Sequence, residues 1–305
     1  MTAPIISVRG LRKTYGGVHA VDGLDLEVHA GEVFALLGPN GAGKTTTIEI
    51  LEGYRRRSGG EVTVLGQDPA RAGAAWRARV GVVLQEATDA GLLTVEETVR
   101  HFAGYYARPR DPDEVIELVG LTDRRGSRVR RLSGGQRRRL DVALGILGRP
   151  ALVFMDEPTT GFDPEARRKF WQVIRSLAAE GTTVLLTTHY LDEAEALADR
   201  AAVIAKGQLV AVGKPSELNN RNLAQPMVRW LDAGSVRAQR TPTPTALIAE
   251  LGRRLGGEVP GLSVHQPTLE DVYLDLVGHV AEEPGGMAAI PVAIPLPEHA
   301  QGQPA

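Results

Sequence analysis

The sequence predicts an α/β protein in which helices cover both faces of a mostly parallel sheet. Several short segments are continuously apolar, as strands in the middle of a parallel sheet are. Stretches with helical spacing separate these segments, which is the pattern of repeated strand and helix units. The segments predicted as central strands are residues 33–37, 80–85, 151–155, 182–187 and 201–205.

The elements around these strands follow in order along the chain. Residues 5–15 and 18–28 are predicted as strands separated by a glycine pair, and residues 59–66 as an exposed turn and strand. We expect these three to form an antiparallel β subdomain. Residues 164–179 and 191–198 have the spacing of amphipathic helices.

A predicted helical insertion interrupts the alternation of strands and helices. Between residues 94 and 148 the periodicity is helical, with a capping-box pattern at Thr94 and Glu97 and a favourable helix start at Asp111. We place the insertion at about residues 87–148, inside an α/β domain that spans residues 5–218.

The carboxy-terminal part of the chain has weaker signals. A chain of 305 residues exceeds one typical core, and its character changes after residue 218. We expect a small accessory domain at residues 219–280, with a helix at residues 246–255. Residues 281–305 are rich in Pro, Gly and Ala, which predicts a disordered tail.

The composition is that of a globular protein and excludes several classes of function. Hydrophobic residues make up 43% and charged residues 24% of the chain, and the net charge of −2 gives no reason to expect nucleic acid as a partner. Because cysteine is absent, disulfides, thiolate metal sites and cysteine nucleophiles are excluded. No secretory signal is expected, and no apolar run approaches the ~20 residues that span a bilayer. If a membrane is involved, another chain is expected to cross it.

The glycine-rich loop at residues 38–45 is the strongest functional signal. Its sequence, GPNGAGKT, matches the G-x-x-x-x-G-K-[ST] pattern between a predicted strand and a predicted helix. Glycines let backbone N–H groups point inward as an anion site, Lys44 can reach the outer phosphates, and the Thr45 hydroxyl can ligate Mg²⁺. A glycine-rich turn without function is the alternative, but the flanking strand and helix favour a nucleoside triphosphate site.

Paired carboxylates follow another predicted strand. Asp156 and Glu157 come directly after residues 151–155, at the sheet edge where open α/β proteins bind ligands. Asp156 could hold Mg²⁺, and Glu157 could orient or deprotonate an attacking water. The alternative is a strand followed by an ordinary charged turn. It becomes less favourable beside a phosphate loop, because phosphoryl hydrolysis needs both parts.

A second helix start suited to an anion lies at residues 132–136, with the sequence LSGGQ. Ser133 is a good N-cap, and the glycines after it let a phosphate approach closely. One ATP does not need two such cradles on one domain. The segment therefore either serves a neighbouring molecule or is a generic capped helix.

Three further side chains are candidates. A lone histidine is more often structural, but His189 follows a predicted strand at the sheet edge that carries the phosphate loop, which favours a functional role. Gln85 ends its own short strand, and Tyr15 offers an aromatic face for a purine.

In their order along the chain, these motifs resemble the ATP-binding cassette (ABC) family over about residues 5–218. An LSGGQ segment between the two nucleotide motifs is close to diagnostic of that family. The resemblance implies a P-loop NTPase cassette that binds ATP and Mg²⁺ and packs head to tail with a second cassette. Each ATP would then lie between the nucleotide motifs of one copy and the LSGGQ segment of the other.

The resemblance also implies a role for each matching residue. Phosphate contacts are expected from Asn40, Gly41, Ala42, Gly43, Lys44, Thr45 and Thr46. Mg²⁺ ligands are expected from Thr45, Gln85 and Asp156, and Tyr15 would stack on adenine. Glu157 would act as general base, and His189 would contact the γ-phosphate. The partner copy's site would be closed by Ser133, Gly135 and Gln136. Asp163 would belong to the loop that joins the two sites, where Phe162 replaces the leucine usual in the family.

Residues 266–274, QPTLEDVYL, resemble the closing motif of ATPases that serve export-type permeases of the daunorubicin-resistance group. The simpler interpretation of this segment is an amphipathic helix capped by Thr268. The first hypothesis for function is the ATPase subunit of an ABC exporter, a homodimer held at the cytoplasmic face of the membrane by separate permease subunits.

Two other hypotheses remain open. A soluble ABC ATPase that acts on ribosomes or nucleic acid is disfavoured by the single cassette and by the lack of long heptads and of cysteine. A regulatory nucleotide binder without turnover is disfavoured by the presence of Glu157 and His189.

Overall fold

The computed structural model describes residues 3–83, 91–219, 225–232 and 234–265. Within these ranges the strands are β1 (Ile6–Tyr15), β2 (Val18–Val28), β3 (Val33–Leu37), β4 (Gly59–Val64), β5 (Val80–Val83), β6 (Leu152–Asp156), β7 (Thr183–Thr188), β8 (Arg200–Ala205), β9 (Gln208–Gly213), β10 (Met227–Asp232), β11 (Ser235–Arg240) and β12 (Ser263–His265). The α-helices there are α1 (Lys44–Leu51), α2 (Ala74–Arg77), α3 (Val95–Ala103), α4 (Pro112–Leu118), α5 (Gly134–Ile146), α6 (Pro164–Ala179), α7 (Leu191–Leu197), α8 (Pro215–Asn219) and α9 (Pro244–Leu255).

The central sheet has six strands in the order β5-β6-β7-β3-β8-β9. The first five run parallel to one another, and β9 pairs antiparallel with β8. The predicted mostly parallel α/β fold is therefore confirmed. Because the strands are parallel, the loops that leave β3, β6 and β7 all emerge at the same edge of the sheet, where open α/β sheets bind their ligands.

The central strands are buried on both faces, which explains their unbroken apolar sequences. Along β3, Phe34 and Leu36 belong to one buried cluster, whereas Val33, Ala35 and Leu37 belong to the other. The first cluster lies under the antiparallel sheet β2-β1-β4 and α1, and the second lies under the helices α3 to α7. The predicted antiparallel sheet is thus present and covers one face.

Helices fill the chain between β5 and β6 in the described residues. The predicted capping box at the start of α3 is present: Glu97 N donates to Thr94 Oγ1 at 3.2 Å, and Thr94 N donates to Glu97 Oε2 at 2.8 Å. Asp111 caps α4 as expected, since its Oδ1 accepts from Asp113 N at 2.7 Å. Both helix starts follow from side chains that satisfy otherwise free amides.

The carboxy-terminal part forms a small sheet, ordered β11-β10-β12, with α9 packed on it. The cluster between them consists of Val228, Trp230, Leu251 and Val259. The helix was predicted, but the three strands were not. Every side chain of β11 and β12 is exposed, so no buried apolar face marks them, although Val228 and Trp230 of β10 alternate with less buried residues.

Some sequence-based predictions lie outside the described residues: Gln85, the 266–274 motif and the 281–305 tail. In the portion of the chain that is described, no helix has both the length and the apolar character needed to span a membrane.

Candidate functional site

The glycine loop connects the buried strand β3 to α1 and requires glycine at three positions. Gly41 and Gly43 have φ angles of 79° and 104°, in the left-handed region that L side chains rarely adopt. A Cβ at Gly43 would also collide with the carbonyl oxygen of Ala20, and a Cβ at Gly38 would collide with that of Ile204. The loop therefore lies close against neighbouring backbone and cannot carry side chains there.

The other loop residues divide between solvent and the interior. Asn40, Gly41 and Thr45 are exposed, whereas Ala42 is buried and Thr46 is half-buried. The amide of Ala42 donates to Pro39 O at 3.1 Å, and its carbonyl accepts from Gly207 N at 2.9 Å. Ala42 is thus held by the fold, and the exposed residues form the open side of the loop.

Lys44 lies inside the curve of the loop. Its side chain is buried, with 5% exposure, and its Nζ donates to Gly38 O at 2.8 Å and to Pro39 O at 3.2 Å. Burial lowers the pKa of Lys44, while the nearby charges of Glu157 and Asp156 act in the opposite direction. The ammonium group is thus held by two main-chain oxygens of the loop, within the electrostatic influence of the two carboxylates.

Asp156 ends β6 and joins the glycine loop to β7. Thr45 Oγ1 donates to Asp156 Oδ2 at 3.3 Å, and Thr187 Oγ1 donates to Asp156 Oδ1. Asp156 and Thr187 are register partners in the parallel β6–β7 pair, so the sheet itself places the hydroxyl beside the carboxylate. The structure therefore brings Thr45 and Asp156 together, although 111 positions separate them in the sequence.

Glu157 has an unusual backbone and is held from three sides. Its φ is 46°, a left-handed value that costs a non-glycine residue on the order of 1–3 kcal/mol. Its amide donates to Thr187 Oγ1 at 2.9 Å, and its Oε2 accepts from Thr160 Oγ1 at 3.3 Å. Its Oε1 lies 3.3 Å from His189 Nδ1. The carboxylate is thus fixed at the edge of the sheet, next to the imidazole that follows β7.

Solvent access differs between the two members of this pair. The Glu157 side chain is 14% exposed and that of His189 is 41% exposed. The ring of Tyr190 lies beside that of His189, with 4.1 Å between their centroids. A ligand that approaches this edge would therefore meet His189 first, with the carboxylate behind it.

The LSGGQ segment starts α5 and satisfies its own polar groups. Ser133 Oγ accepts from Gln136 N at 3.2 Å, and Gln136 Oε1 accepts from Ser133 N at 3.0 Å, which makes a capping box. Ser133 and Gly134 are exposed at the helix N-terminus. A Cβ at Gly135 would meet the ring of Phe162 at 3.6 Å, and that ring packs edge-on against Phe170 with ring centroids 5.7 Å apart. The larger Phe162 is therefore accommodated in the interior of the domain.

Two further predicted residues lie at the periphery of these contacts. Tyr15 ends β1 and is 40% exposed, with Lys13 Nζ 4.9 Å and Arg55 Cζ 5.4 Å from its ring centroid. Asp163 caps α6 by accepting from the amides of Glu165 and Ala166 at 3.0 and 2.8 Å.

Three residues at the site were not predicted from the sequence. Thr187 was predicted only as part of a buried strand, and no sequence signal marks its hydroxyl. Arg138 lies in a run of arginines that resembles a solvated helix face, yet it is buried and donates to the carbonyls of Asp156 and Pro158. Its position one helical turn before the buried Val142 could have indicated the burial of Arg138, although not its partners. Glu52 ends α1, and burial, together with Asp156 and Glu49, raises its pKa to about 8.

These elements define a P-loop nucleoside triphosphatase: a glycine loop with an inward lysine after a central parallel strand, and a carboxylate pair after a nearby strand. The comparisons with known proteins narrow the class. The sequence model of the ABC transporter family matches residues 21–160. The daunorubicin/doxorubicin resistance ATP-binding protein DrrA of Streptomyces peucetius is 42% identical, with 91% of this chain and 94% of that protein covered. The Nod factor export ATP-binding protein I of Ralstonia nicotianae is 40% identical, with 91% and 95% covered.

Solved structures share the fold. The ATP-binding subunit of an ABC transporter matches with a TM-score of 0.67 and 23% identity, over 89% of this chain and 99% of that one. A dimeric ATP-binding cassette bound to ADP and Pi matches with a TM-score of 0.62 and 23% identity, over 68% and 98%. The chain belongs to the ABC transporter family, as one of its ATP-binding proteins, and is an ATPase.

Proposed function

We propose that this chain is the ATP-hydrolysing subunit of an ABC exporter, in which two copies drive separate permease subunits. The relatives named for drug resistance and for Nod factor export match more than nine-tenths of the chain. The proposal extends to this protein the export that the name of the Nod factor relative states. It leaves the transported molecule to the permease, because the cassette carries only the nucleotide chemistry.

One observation carries the catalytic part of the proposal: two polar pairs meet at one sheet edge. The pair of Thr45 and Asp156 lies beside the pair of Glu157 and His189. In the proposed reaction Lys44 and the loop amides bind the phosphates, and Glu157 accepts a proton from the attacking water. His189 contacts the γ-phosphate, and Tyr15, beside Lys13 and Arg55, offers its ring to the adenine.

The donor set at this edge fits Mg²⁺. The hydroxyl of Thr45 and the carboxylate of Asp156 are oxygen ligands 3.3 Å apart, and magnesium takes one or two protein oxygens together with phosphates and water. When bound, the ion would neutralise developing charge on the phosphoryl oxygens. Gln85, which lies outside the described residues, is also proposed as a Mg²⁺ ligand.

A second copy completes the proposed site. The N-terminus of α5 is exposed at Ser133, and helix N-termini favour phosphate through their free amides and dipole. Ser133, Gly135 and Gln136 would meet the ATP held by the other copy. We assign residues 5–218 to the ATPase domain, with residues 87–148 as its helical insertion. Residues 219–280 are assigned to an accessory domain, and residues 281–305 to a tail.

Purification from membranes tests the transport role. A tagged chain, expressed in its native host and extracted in mild detergent, should bring down a multi-spanning membrane protein at a defined stoichiometry, identified by mass spectrometry. A tagged, unrelated P-loop ATPase from the same host serves as the control. Recovery of ribosomes instead of a membrane protein would contradict the exporter proposal and support a soluble ABC ATPase.

A further inference from the structure

Arg138 connects α5 to the main chain on both sides of Glu157. Arg138 is 7% exposed, its Nε donates to Pro158 O at 3.3 Å, and its Nη2 donates to Asp156 O. The two acceptors flank Glu157 directly. A single planar group with several fixed donors can hold two carbonyls at once, which an ammonium group cannot do in the same way.

The main chain that Arg138 holds is the strained part of the site. Glu157 has a positive φ of 46°, and its amide is fixed by Thr187 Oγ1 at 2.9 Å. Strained backbone persists only where surrounding contacts over-determine it. The contacts that do so here are the Thr187 hydroxyl on the amide side and the Arg138 guanidinium on the two flanking carbonyls.

Burying the Arg138 cation costs free energy, because the guanidinium loses its contacts with water. Burial lowers the pKa of Arg138, although the charges of Asp141, Asp156 and Glu157 act in the opposite direction, and its Nη1 has no hydrogen-bond partner among the described residues. An apolar side chain of similar length would avoid this desolvation cost. Packing alone therefore does not account for an arginine at this position, whereas the two carbonyl contacts beside Glu157 do.

We propose that Arg138 is a positioning residue for Glu157 and links it to the LSGGQ segment of the same chain. This rests on the proposed function. Ser133 caps the first turn of α5, and Arg138 lies farther along the same helix. A shift of α5, when its N-terminus meets the ATP of the second copy, would move the guanidinium and with it the backbone that aims the carboxylate. Engagement of one ATP would thus align the general base for the other.

Paired activity and binding measurements test this role. Arg138→Met should lower kcat by about 10- to 100-fold, the range expected from misplacing a reacting group by about 1 Å. The dissociation constant for a fluorescent ATP analogue should stay within about twofold, because Arg138 does not touch the phosphate loop. Arg138→Lys should recover part of the lost kcat. Arg110→Met, which removes another largely buried arginine, bonded to Glu180, is the matched control and should keep wild-type kcat.

The double variant with Glu157→Gln separates positioning from a structural role. If Arg138 acts through Glu157, adding Arg138→Met to Glu157→Gln should lower kcat by no more than about twofold. The inference would be overturned if the two losses of kcat multiplied in the double variant. It would also be overturned if Arg138→Met lost ATP affinity as well as kcat, or kept wild-type kcat. If Arg138→Met does not fold, the same cycle with Arg138→Lys decides it. Wild-type turnover in Glu157→Gln would instead refute the proposed function, so the two failures are distinguishable.

Discussion

Replacing Thr187 with valine tests how the catalytic edge is held together. The Thr187 side chain is fully buried in β7. Its hydroxyl donates to Asp156 Oδ1 and accepts from Glu157 N at 2.9 Å. One hydroxyl therefore serves the proposed metal ligand and the proposed general base at once.

The expected cost follows from these two bonds. Valine has nearly the same shape, so it leaves no cavity but removes both hydrogen bonds. Losing a bond to an ionised carboxylate costs about 1.5–3 kcal/mol, and leaving a buried amide without a partner costs about 1–3 kcal/mol. Thr187→Val should therefore lower the free energy of unfolding by about 2.5–6 kcal/mol. Thr187→Ser keeps the hydroxyl and loses only a methyl group, at about 1 kcal/mol.

Denaturant unfolding of the two variants measures this difference. The transition is followed by circular dichroism and by tryptophan fluorescence, with Trp76 and Trp171 as buried and half-buried reporters in the α/β part. Thr187→Val should unfold at a clearly lower denaturant concentration than Thr187→Ser, with an unchanged slope. Equal stability of the two variants would show that the hydroxyl contacts do not hold this edge, and the reasoning would be refuted.

Three further substitutions test other parts of the site. Lys44→Ala should weaken ATP binding by roughly 10- to 100-fold, because a charge-assisted phosphate contact is lost. Replacement of the exposed Lys169 by alanine should leave ATP affinity unchanged. Unchanged affinity in Lys44→Ala would refute the role of the glycine loop as the phosphate site. Burial raises the pKa of Glu52 from its ordinary 4.5 to about 8, so the free energy of unfolding of the wild type should fall as pH rises between these values. The melting temperature of Glu52→Gln relative to wild type should therefore be higher at pH 9 than at pH 4, and a difference independent of pH would contradict the shift. In Gly135→Ala the new Cβ would lie 3.6 Å from the Phe162 ring, an ordinary contact, and alanine favours a helix by about 1 kcal/mol. The melting temperature of Gly135→Ala should therefore not fall, whereas its ATPase activity should. Full ATPase activity would show that the LSGGQ segment is not part of the site.

The central fold could be predicted because its strands are buried on both faces. Residues such as Phe34 and Leu36 must be apolar wherever both faces are covered, so repeated apolar runs like that of β3, separated by stretches with helical spacing, indicate a parallel sheet. The helix starts at Thr94 and Asp111 could be predicted because capping depends on nearby residues. The strand β11 lacked such a signal, since pairing with β10 forms it although all its side chains are exposed.

The residues of the candidate site also differ in how far their local sequence identifies them. Lys44, Thr45, Asp156 and Glu157 lie in motifs whose chemistry is local, so their spacing identifies them. Thr187 and Arg138 act through tertiary contacts with residues 30 and 18 positions away, and nothing in their own neighbourhoods indicates those partners. Residues whose role depends on what the fold brings near them are therefore the ones that sequence reasoning missed.

The association state of Glu157→Gln with Mg²⁺ and ATP tests the central claim most directly. A general-base variant should bind ATP without completing hydrolysis, so two copies should remain closed around it. Sedimentation velocity should show a species of twice the monomer mass with ATP and a monomer without it, and Gly135→Ala in the same background should prevent the dimer. A Glu157→Gln protein that binds ATP to saturation yet stays monomeric would contradict a site shared between two copies.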